Sequence, residues 1–154
     1  MKQSLNAFVL AMLLISVAPQ AVMSSSGGGH SMGHVASRAS QQNVIGTMTI
    51  DGITATAELS DVREVMTQAG QTLTHHLQVV FKDFAMNHSI EEGVAAVKVI
   101  LPNGEELAPS EMLNMDGHFG VDLQLPLEGK YTFKVGTRLE DSKVRQFTFI
   151  TELK

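Results

Sequence analysis

From residue 43 onward, apolar side chains recur at every second position in short runs: Leu77, Val79 and Phe81; Val97, Val99 and Leu101; Val121, Leu123 and Leu125; Tyr131, Phe133 and Val135; Phe147 and Phe149. A period of two sends alternate side chains to opposite faces of a strand, so these residues predict one buried face. Lys82, Lys98, Asp122, Gln124, Lys130 and Lys134 fall on the other face. The runs predict strands over 45–50, 53–59, 73–84, 94–101, 119–125, 130–138 and 144–152. Turn residues punctuate them: Asp51-Gly52 suits a two-residue hairpin, Pro102-Asn103-Gly104 closes the fourth strand, Glu128-Gly129 precedes the sixth, and Glu140-Asp141-Ser142 joins the last two. Residues 61–69 predict a short helix, capped by Asp61 and ended at Gly70. Seven strands in about 110 residues predict an all-β fold, an immunoglobulin-like antiparallel β-sandwich of about seven strands.

The first 42 residues follow a different pattern. Lys2 precedes the 12-residue apolar run Ala7 to Ala18, with small and polar residues after it, as in a secretory signal peptide over 1–21. Such a run is shorter than the roughly 20 residues a membrane-spanning helix needs, so no stable membrane anchor is expected. Residues 22–42 are rich in Ser, Gly, His and Met without apolar periodicity, which predicts a flexible tail ahead of a sandwich domain over 43–154. The expected location is periplasmic or secreted.

Charge narrows the partners. Residues 43–154 carry nine Lys or Arg against sixteen Asp or Glu, a formal net of −7, with no basic cluster, so nucleic acid is a poor partner. No Cys nucleophile, Gly-x-Ser-x-Gly turn, phosphate loop or His-Glu-x-x-His helix occurs, and Glu91-Glu92 and Glu105-Glu106 flank turn residues as solvated surface. The chain is expected not to be an enzyme.

Its donor chemistry is more specific. Nine Met, six His and no Cys are present, and His and Met recur together in GGGHSMGH (27–34), THH (74–76), MNH (86–88) and MLNMDGH (112–118). Thioether and imidazole suit copper, Cu(I) before Cu(II), and do not form disulfides in an oxidising compartment. The candidate ligands in the domain are His118, Met115, His75, His76, Met86 and His88, while His30, Met32 and His34 offer looser donors in the tail. His75 and His76 point to opposite faces of the third strand, and Met86 and His88 stand where it runs out. A loop over 112–118 is expected to fold against one end of that strand. At the start of the strand it joins His118 and Met115 to one of His75 and His76; at the other end it joins them to Met86 and His88. The plainer reading is packing: Met fills irregular cores, as Met48, Met66 and Met112 can, and His75 can be a hydrogen-bonded core residue.

The signal peptide, the His/Met tail, a small sandwich and the segment MDGHFGVDLQLPLEGKYTFKVG (115–136) together resemble the small YtkA-like and FixH-like periplasmic domains. The resemblance covers roughly 75–150 and implies copper handling or oxidase assembly. PCuAC-type copper chaperones are matched only in part. His75 and Met86 are spaced as the first half of their motif, but Ala108 stands where its second His would fall, and no His-x-Met occurs within 43–154. The expected function is therefore an exported protein that binds or delivers copper, with a protein acceptor or larger exported complex as partner. The alternative is a non-catalytic structural or interaction module of such a complex, docking through a sheet edge.

Overall fold

The computed structural model describes residues 43–154; the expected signal peptide (1–21) and tail (22–42) lie outside the described residues. Nine strands and one short helix follow in order: β1 (Asn43–Ile50), β2 (Ile53–Asp61), α1 (Arg63–Gln68), β3 (His75–Asp83), β4 (Ser89–Ile90), β5 (Gly93–Ile100), β6 (Ser110–Met115), β7 (His118–Leu123), β8 (Gly129–Leu139) and β9 (Val144–Leu153). Every strand pairing is antiparallel. Seven of these strands answer to the seven expected runs. Asp51 and Gly52 both take positive φ, as a tight two-residue hairpin requires. Gly70 ends the helix in the left-handed region at φ 72°, and its N–H donates to Thr67 O.

The strand count and the connection between layers differ from expectation. Two further strands, β4 and β6, bring the number to nine, and hydrogen bonding runs continuously in the order β1-β2-β3-β7-β6-β5-β8-β9, with β4 added to β3. The junction is β6. Its first half pairs with β5 through Ser110, Glu111 and Met112, and its second half pairs with β7 through Leu113, Asn114 and Met115. The two layers are thus joined along one strand, where an immunoglobulin-like sandwich would keep two separately bonded sheets. The far edges also approach, since a Cβ on Gly46 of β1 would stand 3.0 Å from the Phe149 ring of β9.

The alternation decides which face is buried. Leu77, Val79, Phe81, Val97, Tyr131, Phe133, Val135 and Phe147 are fully enclosed, and Phe81 packs edge-on against Phe119 at 5.5 Å and at a tilt against Phe147 at 5.6 Å. Burying side chains of this size contributes on the order of 1.5–3 kcal/mol each. Tyr131 keeps its hydroxyl satisfied by donating to Leu127 O at 2.7 Å and accepting from Leu127 N at 3.0 Å. One charge goes in with the apolar set. The Arg145 side chain is 1% exposed, forks onto Asp141 and donates to Asp51 O, so one guanidinium ties the β8–β9 turn to the β1–β2 turn. That hydrogen bond holds the Asp141 carboxyl down at about 2. Among the described residues no helix is long and apolar enough to cross a membrane.

Two outcomes are expected from this packing. Phe133→Ala should lower the unfolding free energy by about 3–5 kcal/mol in a urea titration, because it empties a fully enclosed ring site. Asp141 has a folded pKa below its unfolded value of 3.8, so its contribution is present above about pH 4 and is lost as pH falls toward about 2. Asp141→Asn should therefore lower Tm at neutral pH, where it leaves a buried guanidinium without its counter-charge. The gap between variant and parent should close in melts run toward pH 2.

Candidate metal-binding site

The adjacent pair His75 and His76 is divided by the sheet. His75 shares the inward face of β3 with Leu77, Val79 and Phe81 and is 7% exposed. Its Nδ1 lies 2.9 Å from Thr74 Oγ1. That hydroxyl also lies 3.3 Å from Leu123 O and accepts from Leu125 N at 2.8 Å, which ties the start of β3 to the end of β7. Burial pushes this imidazole below its ordinary pKa, partly offset by the nearby Asp61 carboxylate. His75 lines an open cleft of about 710 Å³ with Leu59, Asp61, Arg63, Leu125 and Glu128. In that cleft Arg63 and Asp61 satisfy each other through a forked ion pair.

His76 faces the other way. Its register partner on β7 is Asp122, whose Oδ1 lies 2.7 Å from His76 Nδ1, and Gln78 is paired with Gly120 one step along the same face. His118 opens β7 on this outward face and is paired across β6 with Met115, while Leu113 of β6 is paired with Gly120. The His76 and Met115 side chains lean together over the glycine. A Cβ on Gly120 would stand 3.0 Å from His76 Nε2, 3.0 Å from His76 Cε1 and 3.0 Å from Met115 Cε. The His76 and His118 rings meet edge to face at a centroid distance of 6.4 Å. Three strands therefore bring two imidazoles and one thioether to a single cradle that any other residue at 120 would fill.

The remaining candidates stand apart from this cradle. Met86 and His88 lie on the exposed turn after β3, where Asp83 Oδ1 accepts from Ala85 N and Met86 N at 2.9 Å and His88 O accepts from Asp83 N at 2.8 Å. Met112 is buried at 3% exposure in the core, as its packing reading anticipates. The expected loop over 112–118 is instead the end of β6, a tight turn at Asp116-Gly117 and the first residue of β7. The correction has a physical cause. SEMLNM shows no clean alternation because one residue of six is buried, and its extended form comes from partners on both sides. Sequence reading also missed Asp122 and Gly120 as parts of a site. The period of two was the available signal, since 118, 120 and 122 share a face with 76 once β3 and β7 are paired.

Among the described residues no three His, Asp or Glu side chains are grouped to hold a metal ion. A third donor beside His76 and His118 would accordingly be the thioether of Met115, which is 37% exposed. That donor set is softer than an all-imidazole or carboxylate one and favours Cu(I) over hard cations.

Comparison with known proteins bears on the fold alone. No protein-family model matches the sequence, and no curated protein matches it either. In structure the chain is similar to a DUF4426 family protein from Pseudomonas aeruginosa PAO1, known from a crystal structure, with a TM-score of 0.55 at 9% identity over 70% of this chain and 93% of that one. A likeness at that identity supports the β-rich architecture, and the resemblance to YtkA-like and FixH-like domains rests on the sequence pattern.

Proposed function

We propose that this is an exported protein that binds Cu(I) through His76, His118 and Met115 and passes it to an acceptor. The observation that carries the reading is that His76 of β3 and Met115 of β6 meet over Gly120, with the His118 ring of β7 6.4 Å from that of His76. Copper bound there would be held by two imidazole nitrogens and a thioether sulfur. Because the donors lie on an open sheet face, an incoming ligand can approach from the solvent side and replace one of them. The apolar amino terminus and the lack of Cys fit a protein that handles a soft metal outside a reducing compartment. The resemblance to the YtkA-like and FixH-like domains points to the same role.

The alternative, an interaction module, draws on one feature. Leu113, at 61% exposure, and Val94, at 59%, flank the paired residues Ala95 and Met112 and leave apolar surface beside the same face.

Titration with Cu(I) against a competing chelator separates the two readings. The proposed function expects affinity far tighter than micromolar. His76→Ala and His118→Ala should each weaken it more than tenfold, with a smaller loss for Met115→Ala. Gly120→Ala should lose affinity because its methyl enters the cradle 3.0 Å from His76 and Met115. A parent protein that retains no Cu(I), or His118→Ala binding as well as the parent, would falsify the assignment.

A further inference from the structure

We infer that Asp122 is a positioning residue for this site, holding His76 as the Nδ1–H tautomer so that the free lone pair is on Nε2, on the Gly120 side of the ring that Met115 also approaches. The inference rests on the Cu(I) reading for what the lone pair is used for. Its geometric part stands on the metal-free protein.

A carboxylate only accepts hydrogen bonds, so the 2.7 Å contact between Asp122 Oδ1 and His76 Nδ1 requires the proton to be on Nδ1. A neutral ring then carries its free lone pair on Nε2, and Nε2 is the atom 3.0 Å from the Cβ position of Gly120, next to Met115 Cε. The contact sets ring rotation as well as tautomer. Asp122 is the register partner of His76 across β3 and β7, so the two backbones hold donor and acceptor opposite each other without relying on a mobile loop. Other polar groups on this face do not compete. The Gln78 amide donates to Glu58 at 3.2 Å, and among the described residues the His76 ring has no hydrogen bond other than that to Asp122.

Metal-bound imidazoles commonly donate their second N–H to a carboxylate, which fixes orientation and raises ligand basicity. Asp122 and His76 have that relation before any metal is bound. An exposed pair of this kind adds little to fold stability, and the Asp122 side chain is 37% exposed. A role confined to holding the fold is therefore a poor account of the contact, whereas a role in aiming Nε2 fits it.

The test begins with long-range proton–nitrogen correlation spectra of the metal-free protein, which report the tautomer of each imidazole directly. His76 should appear as Nδ1–H in the parent, revert to a mixture or to Nε2–H in Asp122→Ala, and return to Nδ1–H in Asp122→Asn, whose amide oxygen can still accept. Cu(I) affinity should fall about 10–100-fold in Asp122→Ala at an unchanged melting temperature, with at least partial recovery in Asp122→Asn. A parent His76 that already populates both tautomers, or an Asp122→Ala variant that binds copper as the parent does, overturns the role of Asp122. A parent with His76 locked as Nδ1–H that retains no Cu(I) overturns the copper reading and leaves the geometric assignment standing.

Discussion

The divided pairing of β6 is the constraint on which the rest of the molecule turns. Three residues of a six-residue strand bond to β5 and the next three to β7, so the strand closes the gap between two layers that would otherwise present four edges. Met112 at the changeover is buried and seals the corner. Continuing past it, the strand has to emerge on the outer face beside β7, and this carries Met115 to a position opposite His118. The same hydrogen bonds that join the layers therefore assemble the donor cluster.

Polar groups are treated differently on the two sides of the sheet. Inside, most are matched: Arg145 forks onto Asp141, Tyr131 closes on the backbone of Leu127, and His75 contacts Thr74, while Thr137 Oγ1 and Arg145 Nε have no partner. Unmatched charge there would cost several kcal/mol, so these contacts hold turns and strand ends in register. On the outer face water is near, and an individual ion pair contributes little. The His76–Asp122 contact belongs to that second setting, where hydrogen bonds are more informative about orientation than about stability.

An open sheet face makes an unusual platform for a metal. It lacks the enclosure that excludes competing ligands, so under the proposed function retention would depend on the softness of the donors and on their fixed spacing. Strands supply the spacing, because neighbouring chains about 4.8 Å apart set how far two side chains must lean to meet. A glycine between them supplies the room. The apolar neighbours Leu113 and Val94 would reduce water access on one flank and give a second protein something to cover.

The sequence by itself determined the β class, seven of the strands, the inward face of five of them and the main turns, because a period of two and the φ demands of Asp51-Gly52 and Gly70 are local properties that tertiary contacts here reinforce. It also supplied the donor types and the fact that His75 and His76 must part company, which follows from strand geometry alone. The period of two already put His75 in phase with Leu77, Val79 and Phe81; the tertiary structure decided that His76 meets Met115 and His118, since that depends on β3 lying beside β7 and β7 beside β6. It decided as well that SEMLNM is a strand, for six residues with one buried side chain carry no pattern until two neighbours supply their hydrogen bonds. Asp122 read only as solvent-facing. Asp122 becomes the partner of His76, and Gly120 the floor of the cradle, only when residues 46 and 42 positions apart in the chain are placed in register across one pair of strands.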